Sequence, residues 1–222
     1  MMPLLPGNRR QVIEEDGEIT KSKLLLVEGK DETLFFNALF KKNQELVSML
    51  DDVQIVELGG IERLKSELLA LKNRTGFDDL VESMVIIRDS DGDLNAAFQS
   101  VCHILRNLGL PYPNDPGTYS ESSSLKVGVY IMPGDEDGGT MLEDLCLRTQ
   151  QENPIMTSVN SFFELLEDNV DEMPRNLPKA KCQVFLASMP KIVSSLGLGA
   201  QKGYWDLNHD SLSFLRNFLI EL

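Results

Sequence analysis

Short apolar runs alternate with helical spacings through the first two thirds of the chain. Lys23-Leu-Leu-Leu-Val27 is apolar on both faces of an extended segment, which predicts a buried strand. Leu34, Phe35, Ala38 and Leu39 then share one side of a helix that stops at Lys41-Lys42-Asn43. Val53–Leu58 predicts a second strand, after which Gly59-Gly60 opens a helix striped by Ile61, Leu64, Leu68 and Leu71. Met84–Ile87 predicts a third strand that runs straight into Arg88-Asp89-Ser90-Asp91-Gly92-Asp93. A helix over Leu94–Leu108 follows, closed by Gly109. Pro111–Ser124 is rich in Pro, Asn, Gly and Ser and reads as an exposed loop. Alternation over Leu125–Ile131 predicts a fourth strand, which ends in the turn cluster Pro133–Gly139. From Thr140 to Leu222 the pattern is mostly helical.

Strand–helix alternation of this kind predicts an α/β fold with an open, mostly parallel sheet flanked by helices. The expected organisation is a lead-in over 1–20, an α/β domain over 21–150, and a mainly helical C-terminal extension over 151–222 packed on the same domain. No internal repeat is visible. Sites in such sheets lie outside the carboxyl ends of the strands. Three of the four expected strands end in acid: Glu28, then Asp89 and Asp91, then Asp135–Asp137.

Charge complicates that picture before it helps. The 222 residues carry 35 acids against 21 bases, a net of −14, which on a uniform surface would repel nucleic acid and anionic membranes. The charge is not uniform. Asp135–Glu172 holds eleven carboxylates and only Arg148, whereas Met173–Trp205 holds five bases and no acid, so the total describes neither surface. Cys102, Cys146 and Cys182 lack metal-ligand spacing and are expected to be idle thiols in a reducing compartment. Met1–Arg10 has no apolar run of signal-peptide type, and no stretch approaches the ~18 apolar residues of a membrane span. A soluble, cytoplasmic protein with no membrane partner is expected.

Carboxylates gathered at one sheet edge repel one another unless a cation offsets them. Oxygen ligands without His or paired Cys favour Mg²⁺ or Mn²⁺ over zinc. Asp-x-Asp after a strand lets two side chains face one ion, and a glutamate ending a neighbouring strand completes the site or serves as general base.

Leu-Leu-Leu-Val-Glu28-Gly29-Lys30-Asp31-Glu32, followed by Val-Ile-Ile-Arg88-Asp89-Ser90-Asp91-Gly92, resembles the two signatures of a Toprim domain over roughly residues 20–150. Within that group the chain is most similar to the Toprim domains of overcoming-lysogenization-defect (OLD) nucleases and to small stand-alone Toprim-like proteins. Three places carry this likeness: Glu32 four residues after the first acid, Asp89 with Asp91, and Thr140-Met-Leu-Glu143 as an approximate Thr-x-Glu. The resemblance implies Mg²⁺-dependent phosphodiester hydrolysis on DNA or RNA. It implies Glu28 as general base or ligand, Asp89 and Asp91 as metal ligands, and Glu32 and Glu143 as candidates for a second ion. Such chemistry needs a cation near the developing negative charge. By general placement the candidates are Lys181 as a catalytic group and Lys30 and Arg88 as phosphate contacts.

Some of the chain departs from the relatives. Asp93-Leu94-Asn95-Ala96 lacks the continuation found in topoisomerases and primases, and a breakage-reunion tyrosine domain or zinc module has no room. No Gly-x-x-x-x-Gly-Lys-Ser/Thr occurs, so an ATPase partner would be a separate polypeptide. The rival reading from another class is a Toprim-derived binding or regulatory subunit without catalysis. Asp89-Ser-Asp91-Gly92-Asp93 also resembles the opening of phosphoaspartyl hydrolases, with Asp93 where they carry Thr, which makes a phosphohydrolase the minor alternative.

Plainer roles compete for several of these residues. Asp31 reads as an N-cap of the helix it precedes, Asp93 as a helix-start residue, and Asp135–Asp137 as a solvated turn. Thr140-x-x-Glu143 also reads as a capping box. An EF-hand is excluded, because Leu94 stands where Gly is needed and Ser100 where Glu is needed. Gly197-x-Gly199-x-x-x-Gly203 does not fit a dinucleotide fingerprint. Gly203-Tyr204-Trp205 reads as a core anchor rather than a platform for a base, and neither His103 nor His209 has a nucleophilic partner. The tail, with Phe162, Phe163, Leu165 and Leu166 and again Phe214, Leu215, Phe218 and Leu219, is expected to pack on the sheet. Any surplus apolar face there would serve a homodimer or a partner protein.

Overall fold

A computed structural model describes residues 18–120, 122, 124–134 and 138–222. Its centre is a five-stranded sheet in the order β2-β1-β3-β5-β4, formed by β1 (Lys23–Val27), β2 (Val53–Glu57), β3 (Ser83–Asp89), β4 (Thr118–Tyr119) and β5 (Lys126–Met132). All pairings are parallel except the edge pair β4–β5. The expected mostly parallel α/β sheet is therefore what the chain forms. Three short elements went unread in the sequence: β4, inside the segment expected to be a loop, the single-turn helix α3 (Phe77–Leu80), and a 3-10 turn at Val47–Met49.

The central strands are buried on both faces, which is why their sequences are apolar without alternation. In β1, Leu24 and Leu26 join a core layer with α2 (Leu64–Lys72), α3 and α4 (Leu94–Asn107). Leu25 and Val27 point the other way, into a larger layer with α1 (Lys30–Lys42), α5 (Leu142–Arg148), α6 (Pro154–Glu167), α7 (Leu177–Ala187), α8 (Leu196–Lys202) and α9 (Ser213–Ile220). The arrangement is three layers, helix–sheet–helix, with the helical tail inside the same core as the sheet.

Local chemistry explains several element ends. Asp93 caps α4 by accepting from the Ala96 N–H at 2.9 Å, the helix-start role its position suggested. Trp205 is buried, stacks on Phe185 at 5.0 Å and donates its indole N–H to the Leu196 carbonyl, so it anchors the core. Asp31 corrects its expected role. The N-cap of α1 is Gly29, and the Asp31 carboxylate instead accepts from Ser195 Oγ at 2.6 Å, Gly197 N–H at 2.7 Å and Leu196 N–H at 3.1 Å, tying α8 to the start of α1. A Cβ on Gly197 would stand 2.3 Å from the Asp31 carbonyl, so this glycine is required by close helix packing, not by a nucleotide.

The first connection, through α1, lies on one face of the sheet, whereas those through α2–α3 and α4 lie on the other. The topology therefore switches between β1 and β3, the place where open α/β sheets form a crevice at the carboxyl ends of their strands.

Candidate functional site

The carboxyl ends of β1 and β3 are separated by one strand spacing, and Glu28 and Asp89 stand there. Main-chain bonds hold the frame. Gly60 N–H donates to the Glu28 carbonyl at 2.9 Å, which seats the β2–α2 turn against the end of β1. Gly59 and Gly60 both have positive φ, 72° and 118°, a backbone that side-chain-bearing residues rarely adopt. On the other side, Ser90 N–H donates to the Thr140 carbonyl at 2.9 Å, and Leu142 N–H donates to Asp89 Oδ1 at 3.1 Å. These bonds bring the start of α5, and with it Glu143, to the end of β3.

The expected capping box at Thr140–Glu143 is corrected by one residue. Asp144 accepts from the Thr140 N–H at 2.8 Å and the Met141 N–H at 3.2 Å, so Asp144 does the capping and Glu143 is left for other work. Glu32, in the first turn of α1, folds back over Gly29: a Cβ there would lie 3.3 Å from Glu32 Oε2.

Glu28, Glu32, Asp89 and Glu143 form one electrostatic group. Burial pushes Asp89 up to about 8, and the charges of Glu143, Glu28 and Glu32 add to the rise against the bond from Leu142 N–H. Burial also raises Glu28, with Glu32 and Asp91 adding to it, while the Arg88 guanidinium and the Asp89 N–H pull it down. Glu143 is raised by burial and by Glu32 and Asp31, against its own backbone N–H and Lys179. Glu28 Oε1 is buried and has no hydrogen-bond partner. An orphaned carboxylate oxygen among other carboxylates costs several kcal/mol unless something positive meets it.

The other expected site residues lie differently. Asp91, at φ 51°, turns outward with its side chain 66% exposed and pairs with Arg88 at 3.0 Å, while its charge still acts on Glu28. Arg88, only 11% exposed, also donates to Ser100 Oγ. Lys30 is exposed. Lys181 does not reach the acids, because it donates to Asn160 on α6 at 2.9 Å. The lysine that does reach them is Lys179, 3.9 Å from Glu143 Oε1. Residues two apart on a helix face different ways, so choosing between Lys179 and Lys181 required the phase of α7 against α5. Asp135–Asp137, expected as a turn beside the site, lie outside the described residues. Cys146 and Cys182 are buried near Glu143, and burial raises both thiols, in keeping with idle thiols.

The donor set suits a hard divalent cation: oxygen only, mutually repelling, with one oxygen unpartnered. Among the described residues, however, no group of three or more His, Cys, Asp or Glu forms a ready-made metal site. Ligation by three of these acids therefore requires their side chains to turn inward from the positions seen. No helix among the described residues is long and apolar enough to cross a membrane.

Comparison with known proteins places a family over most of the chain. Residues 22–222 match the family described as "Protein of unknown function (DUF3226)". No curated protein sequence matches the chain. A solved structure, the C-terminal region of the Xanthomonas campestris pv. campestris OLD protein, is similar at 14% identity, covering 90% of this chain and 95% of that one with a TM-score of 0.45. A superposition that loose says nothing about chemistry.

Proposed function

The chain belongs to the DUF3226 family, and we propose that it is a Toprim-like, divalent-metal-dependent enzyme that hydrolyses phosphodiester bonds in nucleic acid. The observation that carries this reading is the buried, unpartnered Glu28 Oε1 at the β1–β3 switch point, among carboxylates that raise one another's pKa. Structural acids are ordinarily paired, and acids kept apart from partners and pushed toward neutral pH are the material of catalytic sites.

Mg²⁺ or Mn²⁺, when bound, would supply an activated water and offset charge on the phosphate. The chain's own residues do the rest. Asp89 and the acids whose charges act on it, Glu143, Glu28 and Glu32, are the ligand candidates, and Asp91 joins them only by leaving Arg88. Glu28, half-buried and raised toward the working pH, suits a general base that takes the proton of an attacking water. The Arg88 guanidinium limits that rise. Lys179, exposed at the rim, faces an incoming phosphate while moderating Glu143.

Replacing Glu28 by Gln, or Asp89 by Asn, should abolish Mg²⁺- or Mn²⁺-dependent cleavage of DNA or RNA with the circular dichroism spectrum unchanged. A wild-type protein that cleaves neither polymer with either ion, alone or with a separate ATPase, refutes the proposal. One observation favours a second reading, a non-catalytic binding or regulatory subunit: the described acids do not stand in ligating positions. Calorimetric titration with Mn²⁺ separates the two, since a site silent at millimolar ion supports the subunit.

A further inference from the structure

β1 and β3 run parallel in a register that pairs Leu24 with Met84 and Leu26 with Ile86, which two residues further on sets Glu28 beside Arg88. Side chains alternate along a strand, so both belong to the face that Leu24, Leu26, Met84 and Ile86 pack against α4. Arg88 accordingly reaches Ser100 on α4. Neighbouring strands lie about 4.8 Å apart, within easy reach of an arginine side chain. The guanidinium is thus the natural partner of the Glu28 carboxylate. Among the described residues the two form no ion pair, and Glu28 Oε1 stays buried without a partner.

The guanidinium is held elsewhere. Its Nη2 donates to Asp91 Oδ2 at 3.0 Å, its Nη1 to Ser100 Oγ at 3.3 Å and its Nε to the Asp89 carbonyl at 3.2 Å, so each nitrogen is engaged away from Glu28. Even so, its charge is the strongest influence pulling Glu28 down. The turn that carries Asp91 fixes this arrangement. Asp93 N–H donates to the Ser90 carbonyl at 2.9 Å, and the two residues between them have positive φ, 51° at Asp91 and 92° at Gly92, as in a type I′ turn. Both ends are tied down: Ser90 N–H and Oγ donate to the Thr140 carbonyl at 2.9 and 3.1 Å, and Asp93 caps α4. Stability does not explain the choice of partner. Asp91 is exposed, and a pair with an exposed partner contributes little, whereas a buried carboxylate oxygen left alone is costly.

We propose that Asp91 is a positioning residue: it holds Arg88 off Glu28 and so leaves the Glu28 carboxylate free for a divalent cation or for the proton of a water. This role rests on that of Glu28 given above, and it puts Asp91 to work through Arg88 and not on the ion itself. Without Asp91, the guanidinium turns to its neighbour on β1 and the orphaned oxygen is quenched by a charge-assisted bond.

Calorimetric titration with Mn²⁺ tests this as a double-mutant cycle. Asp91→Asn frees Arg88 to pair with Glu28, so Mn²⁺ affinity should fall about tenfold or more. Arg88→Gln removes the competitor, and in that background Asp91→Asn should change affinity by less than about threefold. A direct ligand behaves otherwise, since its loss weakens Mn²⁺ binding alike with and without Arg88. Melting in chelator, at a mildly alkaline pH that ionises Glu28, reads the placement of Arg88 with no ion present. Glu28→Gln should not lower the melting temperature of the wild type, whose Glu28 oxygen has no partner, and should lower that of Asp91→Asn by ~3 °C or more. Asp91 is exposed, so these melts stand even if Arg88→Gln fails to fold. A wild type silent to Mn²⁺ refutes the metal reading of Glu28 and leaves the melts to decide on Arg88. Equal losses of Mn²⁺ affinity in both backgrounds, or equal Glu28→Gln shifts in the wild type and Asp91→Asn, overturn the proposal.

Discussion

Asp89→Asn offers the sharpest test of the acidic crevice, because it changes one proton site and little else. The amide keeps an oxygen for the Leu142 N–H, so the bond to α5 survives. In the folded chain the carboxyl titrates at about 8, against 3.8 for a free side chain. Between those values the folded protein holds a proton that the unfolded protein has released. Stability contributed by this group is therefore fully present below about pH 4 and is lost as pH rises through about 8. At 1.36 kcal/mol per unit, a span of about four units amounts to something on the order of 5 kcal/mol across that window. Urea denaturation of metal-free protein in chelator, from pH 5 to pH 9, reads it directly. The wild type should lose stability steadily toward pH 8, whereas Asp89→Asn should lose much less and become the more stable protein at the alkaline end. Adding Mg²⁺ at pH 8 should recover stability in the wild type and not in the variant. Parallel profiles for the two proteins, or a wild type that gains stability between pH 6 and pH 8, would refute the buried, mutually repelling site.

Two further outcomes follow from contacts around the crevice. Asp31→Ala removes an acceptor of three hydrogen bonds and Gly197→Ala inserts a methyl 2.3 Å from the Asp31 carbonyl, so each should cost on the order of 3 kcal/mol in thermal or urea melts. Lys179→Ala should tighten Mn²⁺ binding in calorimetry, by removing a competing cation beside Glu143, while weakening phosphate substrates; Lys181→Ala should do neither, and both should stay within about 0.5 kcal/mol of wild-type stability.

Strands buried on both faces announce themselves, and β1 was legible residue for residue because Lys23–Val27 has no polar position inside it. β4 was not, since two residues paired at a sheet edge carry no periodicity. The ends of β1 and β3 marked Glu28 and Asp89 because an apolar run that stops on an acid is a local pattern. Glu143 was ambiguous for the opposite reason: two acids in succession start α5, and only the bonds from Thr140 and Met141 to Asp144 decide which one caps. Asp31 and Lys179 depend on contacts across more than a hundred and across about thirty-five residues, with α8 and with Glu143, and no local pattern encodes those. Asp91 shows the limit of spacing arguments, since a left-handed backbone at that one residue sends its carboxylate to Arg88.

The crevice frame is joined largely by main-chain atoms, Gly60 to Glu28 and Ser90 to Thr140. Bonds of that kind survive almost any change of side chain. The acids above them are therefore free to drift: a lineage can exchange or lose carboxylates at positions 28, 89 or 143 while the distances between strand ends and helix starts stay as they are. Family members with and without chemistry would then share one scaffold, and the residues at those three positions, not the fold, would tell them apart.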